Sequence, residues 1–143
     1  MKIMTCFIDQ TAWLAIIDTG NPNHHKAYEY FEELLSKNTK LVTNNIVIDT
    51  TVNELKKTKG MKQANQFLTI IDESIMTINL RMDWVSRRVR RNALNQFFKK
   101  NHELELDHFY IYESVKRKKV DVIFSFDHNL KTFGLPLMPL ETS

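Results

Sequence analysis

Three aspartates lie where an apolar segment ends or a helix begins, which are positions where carboxylates can meet. Asp9 directly follows the apolar run Ile3–Ile8. Asp127 follows the run Val122–Phe126, and Asp107 opens a segment with helical spacing. Carboxylates that pack together repel one another and raise one another's pKa, and a hard divalent cation relieves that repulsion. The three aspartates are therefore candidates for one reactive cluster.

Each aspartate also has a simpler interpretation as a helix cap. An Asp at a junction into a helix accepts a hydrogen bond from a backbone N–H that has no partner within the helix. Sites in an open parallel sheet form beyond the carboxyl ends of the strands, so Asp9 and Asp127 would project from the same edge. The edge at which Asp107 lies is not fixed, because a helix can begin at either one. Spacing alone leaves both interpretations open.

The elements that must position these residues alternate between strands and helices. Strands are predicted at Ile3–Ile8, Lys40–Thr43, Ser74–Leu80 and Val122–Phe126, with Leu135–Met138 as a last edge strand. Helices are predicted over Thr11–Ile17, after an Asn23 cap, from Asn45 to about Lys57, around Ala64–Ile71, from Asp83 to about Lys100, and from Asp107 to about Lys118. Such an alternation predicts an α/β fold with a mostly parallel sheet.

The bulk properties are those of an ordinary globular protein. The chain has 143 residues with 43% hydrophobic and 26% charged, so we predict one domain over residues 1–143. Cys6 is the only cysteine and fits a core position rather than a disulfide. The apolar run near the start is too short for a signal peptide or a membrane span. We therefore expect a cytoplasmic setting and no membrane partner.

Basic residues form two clusters, although the formal net charge is only +3. Arg87, Arg90 and Arg91 share one face of a predicted helix, and rows of arginine suit a phosphate backbone or a protein partner about equally well. The run Lys116–Lys119 ends another predicted helix, where cations are favoured by the helix dipole, and a solvated role is the better interpretation.

The remaining histidines and aromatic residues are assigned structural roles. Trp13, Phe97 and Phe98 are predicted to be core residues rather than platforms for base stacking. Three histidines are interpreted as surface residues: His24, His25 and His128. No Gly-rich phosphate loop or nucleophile elbow is visible in the sequence, so neither of these common catalytic motifs is predicted.

Three segments together resemble the PIN-domain ribonucleases, and in particular the VapC-type toxins of bacterial toxin–antitoxin systems. They are FIDQTAWLAIID at 7–18, LVTNNIVIDTTVNEL at 41–55 and LELDHFYIYESVKRKKVDVIFSFDHNLKTFG at 104–134. Each motif is short, but their order and spacing over nearly the whole chain are fairly specific. The resemblance implies a PIN-like three-layer sandwich with a mostly parallel central sheet flanked by helices.

The resemblance also implies roles for individual residues. Asp9 matches the acid of the first motif, followed by the hydroxyl of Thr11, and Asp107 matches the acid of the third. Ser125 and Asp127 match the strand-end pattern of the fourth motif. The second motif has a Glu in the helix after strand two, and Asp49 stands at that place. By resemblance, the catalytic set is Asp9, Asp49, Asp107 and Asp127, with Asp9, Asp107 and Asp127 as metal ligands and Thr11 and Ser125 as supporting residues.

The activity that the resemblance implies is cleavage of RNA phosphodiester bonds with Mg²⁺ or Mn²⁺ as cofactor. A hard cation suits oxygen ligands, lowers the pKa of bound water and stabilises charge on a phosphoryl group. A homodimer and a cognate antitoxin are implied as partners besides RNA, which Arg87, Arg90 and Arg91 could contact. Two alternatives stay open: a housekeeping RNA-processing nuclease of the same fold, and a non-catalytic PIN-like module that binds RNA or protein.

Overall fold

A computed structural model describes residues 3–99 and 103–139. In chain order, the strands are β1 (Thr5–Ile8), β2 (Lys40–Asn44), β3 (Leu80–Asp83), β4 (Val122–Ser125) and β5 (Leu137–Pro139). The helices are α1 (Gln10–Ile17), α2 (His24–Ser36), α3 (Asn45–Lys59), α4 (Met61–Thr77), α5 (Arg87–Phe97) and α6 (Leu106–Arg117), followed by a 3₁₀ helix (His128–Phe133). None of the helices in these two ranges has the length and apolar character needed to cross a bilayer.

The five strands form one parallel sheet in the order β3-β2-β1-β4-β5. The chain moves from β1 outward through β2 to β3, and β4 then pairs with the other side of β1. The order therefore reverses between β1 and β4, and in open parallel sheets this switch point is where binding sites form. Because Ile8 lies opposite Phe124 in the register, the residues that leave these two strands emerge side by side.

Polar side chains at the ends of the strands start the helices that follow. The Asp9 carboxylate accepts a hydrogen bond from the backbone N–H of Ala12 and begins α1. Asn44 does the same for α3 through the N–H of Val47. Ser86 caps α5 through the N–H of Val89. These caps fix where each chain segment turns away from the sheet.

The main core lies around the sheet, and a smaller apolar cluster joins α5 to α6. The β1 residues Cys6, Phe7 and Ile8 are fully buried, as the apolar run predicted. The second cluster contains Ala93, Phe109 and Tyr110. This second cluster holds the α5–α6 hairpin together, so the start of α6 has a defined position.

Two predicted elements between residues 74 and 100 are wrong. The predicted strand Ser74–Leu80 belongs mostly to α4, which continues to Thr77, and β3 begins only at Leu80. A short apolar run occurs both in strands and at the ends of helices, so the sequence pattern could not distinguish the two. The predicted helix from Asp83 starts later, because Asp83 is the last residue of β3 and Ser86 is the cap. The predicted end of that helix, Lys100, lies outside the described residues.

Candidate active site

One serine hydroxyl links Asp9 to Asp127 at the switch point of the sheet. Ser125 ends β4, and its Oγ donates to Asp9 Oδ2 over 2.6 Å. The same Oγ accepts the backbone N–H of Asp127 over 2.9 Å. The strand register makes Ser125 the neighbour of Asp9, so this link follows directly from the pairing of β1 with β4.

Thr11 completes the polar network around Asp9. Its hydroxyl donates to Asp9 Oδ1 over 2.7 Å and accepts the backbone N–H of Phe126 over 2.9 Å. The hydroxyls of Thr11 and Ser125 lie 3.3 Å apart. Because each of these two hydroxyls gives its proton to Asp9, both oxygens of that carboxylate are satisfied as an anion. The structure thus brings together Asp9, Thr11, Ser125 and Asp127, as the motifs predicted.

The Asp127 carboxylate is held by two groups outside the Asp9 network, a backbone N–H and a histidine. Its Oδ1 accepts the backbone N–H of Asn129 over 3.0 Å, which starts the 3₁₀ helix. Its Oδ2 lies 2.7 Å from Nε2 of His108. The His108 side chain is 9% exposed and the Asp127 side chain 19% exposed. Asp127 is therefore both a cap and the most accessible carboxylate of the network.

Burial makes Asp9 a weaker acid than an ordinary aspartate. Desolvation raises the pKa of Asp9 to about 6, and the negative charge of Asp127 adds to the rise. Hydrogen bonds from Ser125, Thr11 and Ala12 oppose the shift without cancelling it. A cation bound at Asp9 would remove the electrostatic penalty, so the carboxylate has the electrostatic character of a metal ligand.

Asp107 lies at the same edge of the sheet but outside the hydrogen-bonded network. It is the second residue of α6, next to His108, whose bond to Asp127 fixes the start of α6 at the carboxyl edge. Glu105 occupies the cap position, so the cap interpretation of Asp107 is wrong. Partial burial and the charge of Glu105 raise the pKa of Asp107, while His108 opposes the rise. Within the described ranges, the Asp107 side chain makes no hydrogen bond or ion pair.

Asp49 lies apart from the hydrogen-bonded network around Asp9. It is an exposed residue of α3, whereas Ile48 beside it is buried. Its side chain forms no hydrogen bond or ion pair with the residues that the structure describes. Glu54, five residues further along α3, is half-buried. The role of Asp49 in catalysis therefore stays a prediction.

The arginines lie on the outer face of α5, as their spacing predicted. Arg87, Arg90 and Arg91 are all exposed, and the buried side of the helix is formed by Val89 and Ala93. Two residues of the other basic run, Lys116–Lys119, form ion pairs within the protein. Lys116 pairs with Glu113, and Arg117 pairs with Asp83. The interpretation of that run as a structural feature agrees with these two ion pairs.

The arrangement of the acidic side chains bears on whether they could hold a metal ion. Over residues 3–99 and 103–139, no three His, Cys, Asp or Glu side chains are arranged to hold an ion together. Asp9 and Asp127 offer carboxylate oxygens, the ligand type that Mg²⁺ takes, and one or two carboxylates with water are enough to hold that ion. These two residues, with Asp107 at the same edge of the sheet, remain the candidate ligands predicted from the sequence.

Sequence reasoning missed His108 and misplaced Phe98. Nothing local distinguishes His108, because its partner Asp127 is nineteen residues away and the contact is tertiary. The only signal was its position next to Asp107 in the third motif. Phe98 was predicted to be core, yet it is 78% exposed at the end of α5, whereas Trp13 is buried as predicted.

Comparisons with known proteins identify the fold. No protein-family model and no curated protein matches the sequence. Among solved structures, VapC20 of Mycobacterium tuberculosis, described as a Sarcin-Ricin loop cleaving toxin, superposes with a TM-score of 0.76 at 18% identity. The match covers 91% of this chain and 95% of that one.

A second solved structure leads to the same fold. VapBC2 from Rickettsia felis, bound to a DNA fragment from its promoter, matches with a TM-score of 0.67 at 15% identity, over 94% of this chain and 97% of that one. The chain therefore has the PIN-like α/β fold of the VapC proteins, with an all-parallel sheet flanked by helices. The fold class predicted from the motifs is confirmed.

Proposed function

We propose that this chain is a divalent-metal-dependent endoribonuclease that acts as the toxin of a toxin–antitoxin pair. The observation that carries the proposal is the coupling of Asp9 to Asp127 through Ser125 at the switch point of the sheet. Ser125 bonds the Asp9 carboxylate and the backbone N–H of Asp127, so two acidic residues lie together at the one edge where the fold favours ligand binding. The VapC fold, shared with a toxin that cleaves the Sarcin-Ricin loop, supports RNA as the substrate.

In this proposal Mg²⁺ or Mn²⁺ binds at Asp9 and Asp127, with Asp107 and Asp49 completing the acidic set. When bound, the ion lowers the pKa of a water molecule and offsets charge on the phosphoryl group. Ser125 and Thr11 keep Asp9 oriented and ionised, because both hydroxyls donate to it. His108 keeps the Asp127 carboxylate in place through its Nε2.

The exposed arginines of α5 supply the phosphate contacts that an RNA substrate needs. Arg87, Arg90 and Arg91 have no acidic partner among the described residues, so their charges are free to bind an anionic chain. The similarity to VapBC2 supports a cognate antitoxin as the protein partner. A homodimer and a cytoplasmic location belong to the same proposal.

A non-catalytic PIN-like module is the alternative that a specific observation favours. Asp49 replaces the longer Glu and is exposed, and the described acids do not form a group of three metal ligands. Such a module would still bind RNA or protein through its basic face. Only a test of cleavage separates it from the nuclease.

The test is incubation of the purified protein with structured RNAs, with and without Mn²⁺, followed by mapping of the cut ends. We expect cuts that require the metal and leave a 5′-phosphate and a 3′-hydroxyl. Intact RNA at every metal concentration would support the non-catalytic module instead. A housekeeping enzyme would cut as well but would not inhibit growth when expressed without a neighbouring antitoxin.

A further inference from the structure

We propose that a groove along the edge strand β3 binds a single-stranded RNA segment that flanks the cleavage site. In this arrangement a base stacks on Trp84, and phosphates contact Lys40, Arg81 and Lys118. The identification of the ligand as RNA rests on the proposed function. None of the residues that line the groove belongs to the acidic network or to the predicted catalytic set.

The groove has a volume of about 710 Å³ and follows the open side of the sheet. It begins where Lys40 pairs with Thr5 at the amino ends of the strands, and it extends to Trp84, just beyond the carboxyl end of β3. Ile75 and Met82 contribute apolar wall. An open, elongated groove with an apolar wall suits an extended chain better than a small molecule.

Trp84 is exposed, and contacts of the residues on both sides of it anchor its backbone. Its side chain is 68% exposed and makes no ring contact with any described residue. On one side, Asp83 is buried and paired with Arg117. On the other, the N–H of Val85 donates to Asn45 Oδ1 over 2.7 Å. An exposed indole on an anchored backbone is a stacking surface, because every nucleobase offers a face to it.

The cations around Trp84 are unpaired. Lys40, Arg81 and Lys118 are exposed, and none forms an ion pair with a residue that the structure describes. No acidic residue is among those that line the groove. The helix α5 begins three residues after Trp84 and adds four exposed arginines: Arg87, Arg88, Arg90 and Arg91.

This side of the molecule therefore carries seven of the 20 lysine and arginine residues of the chain. The three groove cations and the four arginines together exceed the formal net charge of +3 for the whole chain, so the remaining residues carry a net negative charge. Such asymmetry attracts a polyanion to one face. Stacking surface and unpaired cations are the two features by which proteins bind single strands without reading their sequence.

The groove lies too far from the acidic network to hold the reacting phosphate, so it would bind nucleotides that flank the cleavage site. The acidic network lies between β1 and β4, and β3 is two strands away from β1. At about 4.8 Å between neighbouring strands, Trp84 stands on the order of 10 Å from the network. A base on Trp84 thus cannot be at the reacting phosphate. The groove should affect substrate binding, and hence KM, with little effect on kcat.

The experiment measures binding of a labelled short oligouridine in EDTA, with the integrity of the RNA checked on a gel. Trp84→Ala should weaken binding about 5- to 150-fold, the range found for loss of one stacking partner. Trp84→Phe retains an aromatic face and should restore most of the affinity. Phe98→Ala is the matched control, because Phe98 is also an exposed aromatic residue, at 78% against 68% for Trp84, but does not line the groove, and it should bind like the wild type.

A second variant tests the phosphate contacts. Replacing Lys40, Arg81 and Lys118 by Gln should lower the slope of log affinity against log salt by about 2, at roughly 0.7 per contact with a single strand. Wild-type affinity in Trp84→Ala would overturn the proposal. So would a loss of self-association in Trp84→Ala with unchanged RNA affinity, which would assign the groove to a second copy of the chain.

The outcome also separates this proposal from the proposed nuclease function. If Trp84→Ala loses RNA binding but the wild type cuts no RNA with any metal, the groove stands and the nuclease assignment fails. If the wild type cuts RNA and Trp84→Ala cuts with an unchanged KM, the nuclease stands and the groove fails.

Discussion

His108 Nε2 lies 2.7 Å from Asp127 Oδ2 and ties the start of α6 to the carboxylate that follows β4. The other ring nitrogen, Nδ1, accepts the backbone N–H of Glu105 over 2.9 Å. Since Nδ1 accepts, the ring proton is assigned to Nε2, which then donates to Asp127. The imidazole therefore links helix capping to the orientation of a candidate metal ligand.

The two bonds of His108 can be removed separately. His108→Asn places a carboxamide near the position of Nδ1, so it can keep the bond from Glu105 but loses Asp127. We expect kcat to fall about 10- to 100-fold, as for other groups that orient metal ligands, with little change in melting temperature. Single-turnover cleavage and thermal melting measure the two effects.

The complementary variant is His108→Gln, whose amide reaches the position of Nε2. It should keep the bond to Asp127 and the cleavage rate, while loss of the Glu105 bond lowers the stability of α6. Equal loss of activity in both variants, in proportion to their loss of stability, would mean that His108 serves only the fold.

Ionisation of Asp9 should destabilise the metal-free protein, with the full effect reached above about pH 6. Its pKa is about 6 in the folded state, against about 3.9 for an ordinary aspartate in the unfolded chain. The folded state holds the proton more tightly, so stability falls as the pH rises from about 4 to 6. Asp9→Asn removes this effect and should stabilise the protein at pH 7.5 by up to roughly 3 kcal/mol.

The gain should disappear near pH 4, where Asp9 is protonated in both states. Urea denaturation at the two pH values measures it, and Asp72→Asn on the exposed side of α4 is the control. A stability gain of the same size at pH 4 and pH 7.5 would show that ionisation of Asp9 is not its cause.

Asp49 tests how much of the acidic set is needed. If its carboxylate belongs to the site, Asp49→Asn should impair cleavage, and Asp49→Glu should preserve the rate or raise it, because the longer side chain reaches further. Glu54 lies about 140° further around α3 at 100° per residue and serves as the control. A large loss in Glu54→Gln with none in Asp49→Asn would reassign the second acidic motif.

The exposed face of α5 should contribute to RNA affinity through charge alone. Changing Arg87, Arg90 and Arg91 to Gln should weaken binding and reduce the slope of log affinity against log salt by about 2. The control replaces three exposed lysines of α3 and α4: Lys56, Lys57 and Lys62. An unchanged slope in the arginine variant would assign these residues to solvent or to a protein partner.

The acidic network could be predicted from sequence because its parts lie at the ends of strands. Asp9 follows β1 and Asp127 follows β4, and parallel pairing of these strands is enough to bring both to one edge. Asp9 and Asp127 also cap the helices that follow them, so the cap interpretation is confirmed for these two residues and their catalytic role stays a prediction. The fold class and the meeting of Asp9 with Asp127 could therefore be predicted from the sequence.

The features that sequence reasoning missed depend on contacts between distant segments. His108 acquires its partner only when α6 packs at the carboxyl edge, and no periodicity predicts that. The apolar residues near Ile75 were predicted as a strand because they are consecutive, but Phe67, Ile71 and Ile75 have a spacing of four and continue a helix. Trp84 escaped attention because exposure cannot be read from residue type.

The most direct test of the central claim is the single-turnover cleavage rate of a labelled RNA by Asp107→Asn beside the wild type, in saturating Mn²⁺. This substitution keeps the size of the side chain and removes its charge, and Asp72→Asn controls for the loss of a carboxylate elsewhere. We expect the wild type and Asp72→Asn to cut at the same rate, and Asp107→Asn to leave the RNA intact. Cleavage by Asp107→Asn at the wild-type rate would contradict the assignment of this acidic site as a nuclease centre.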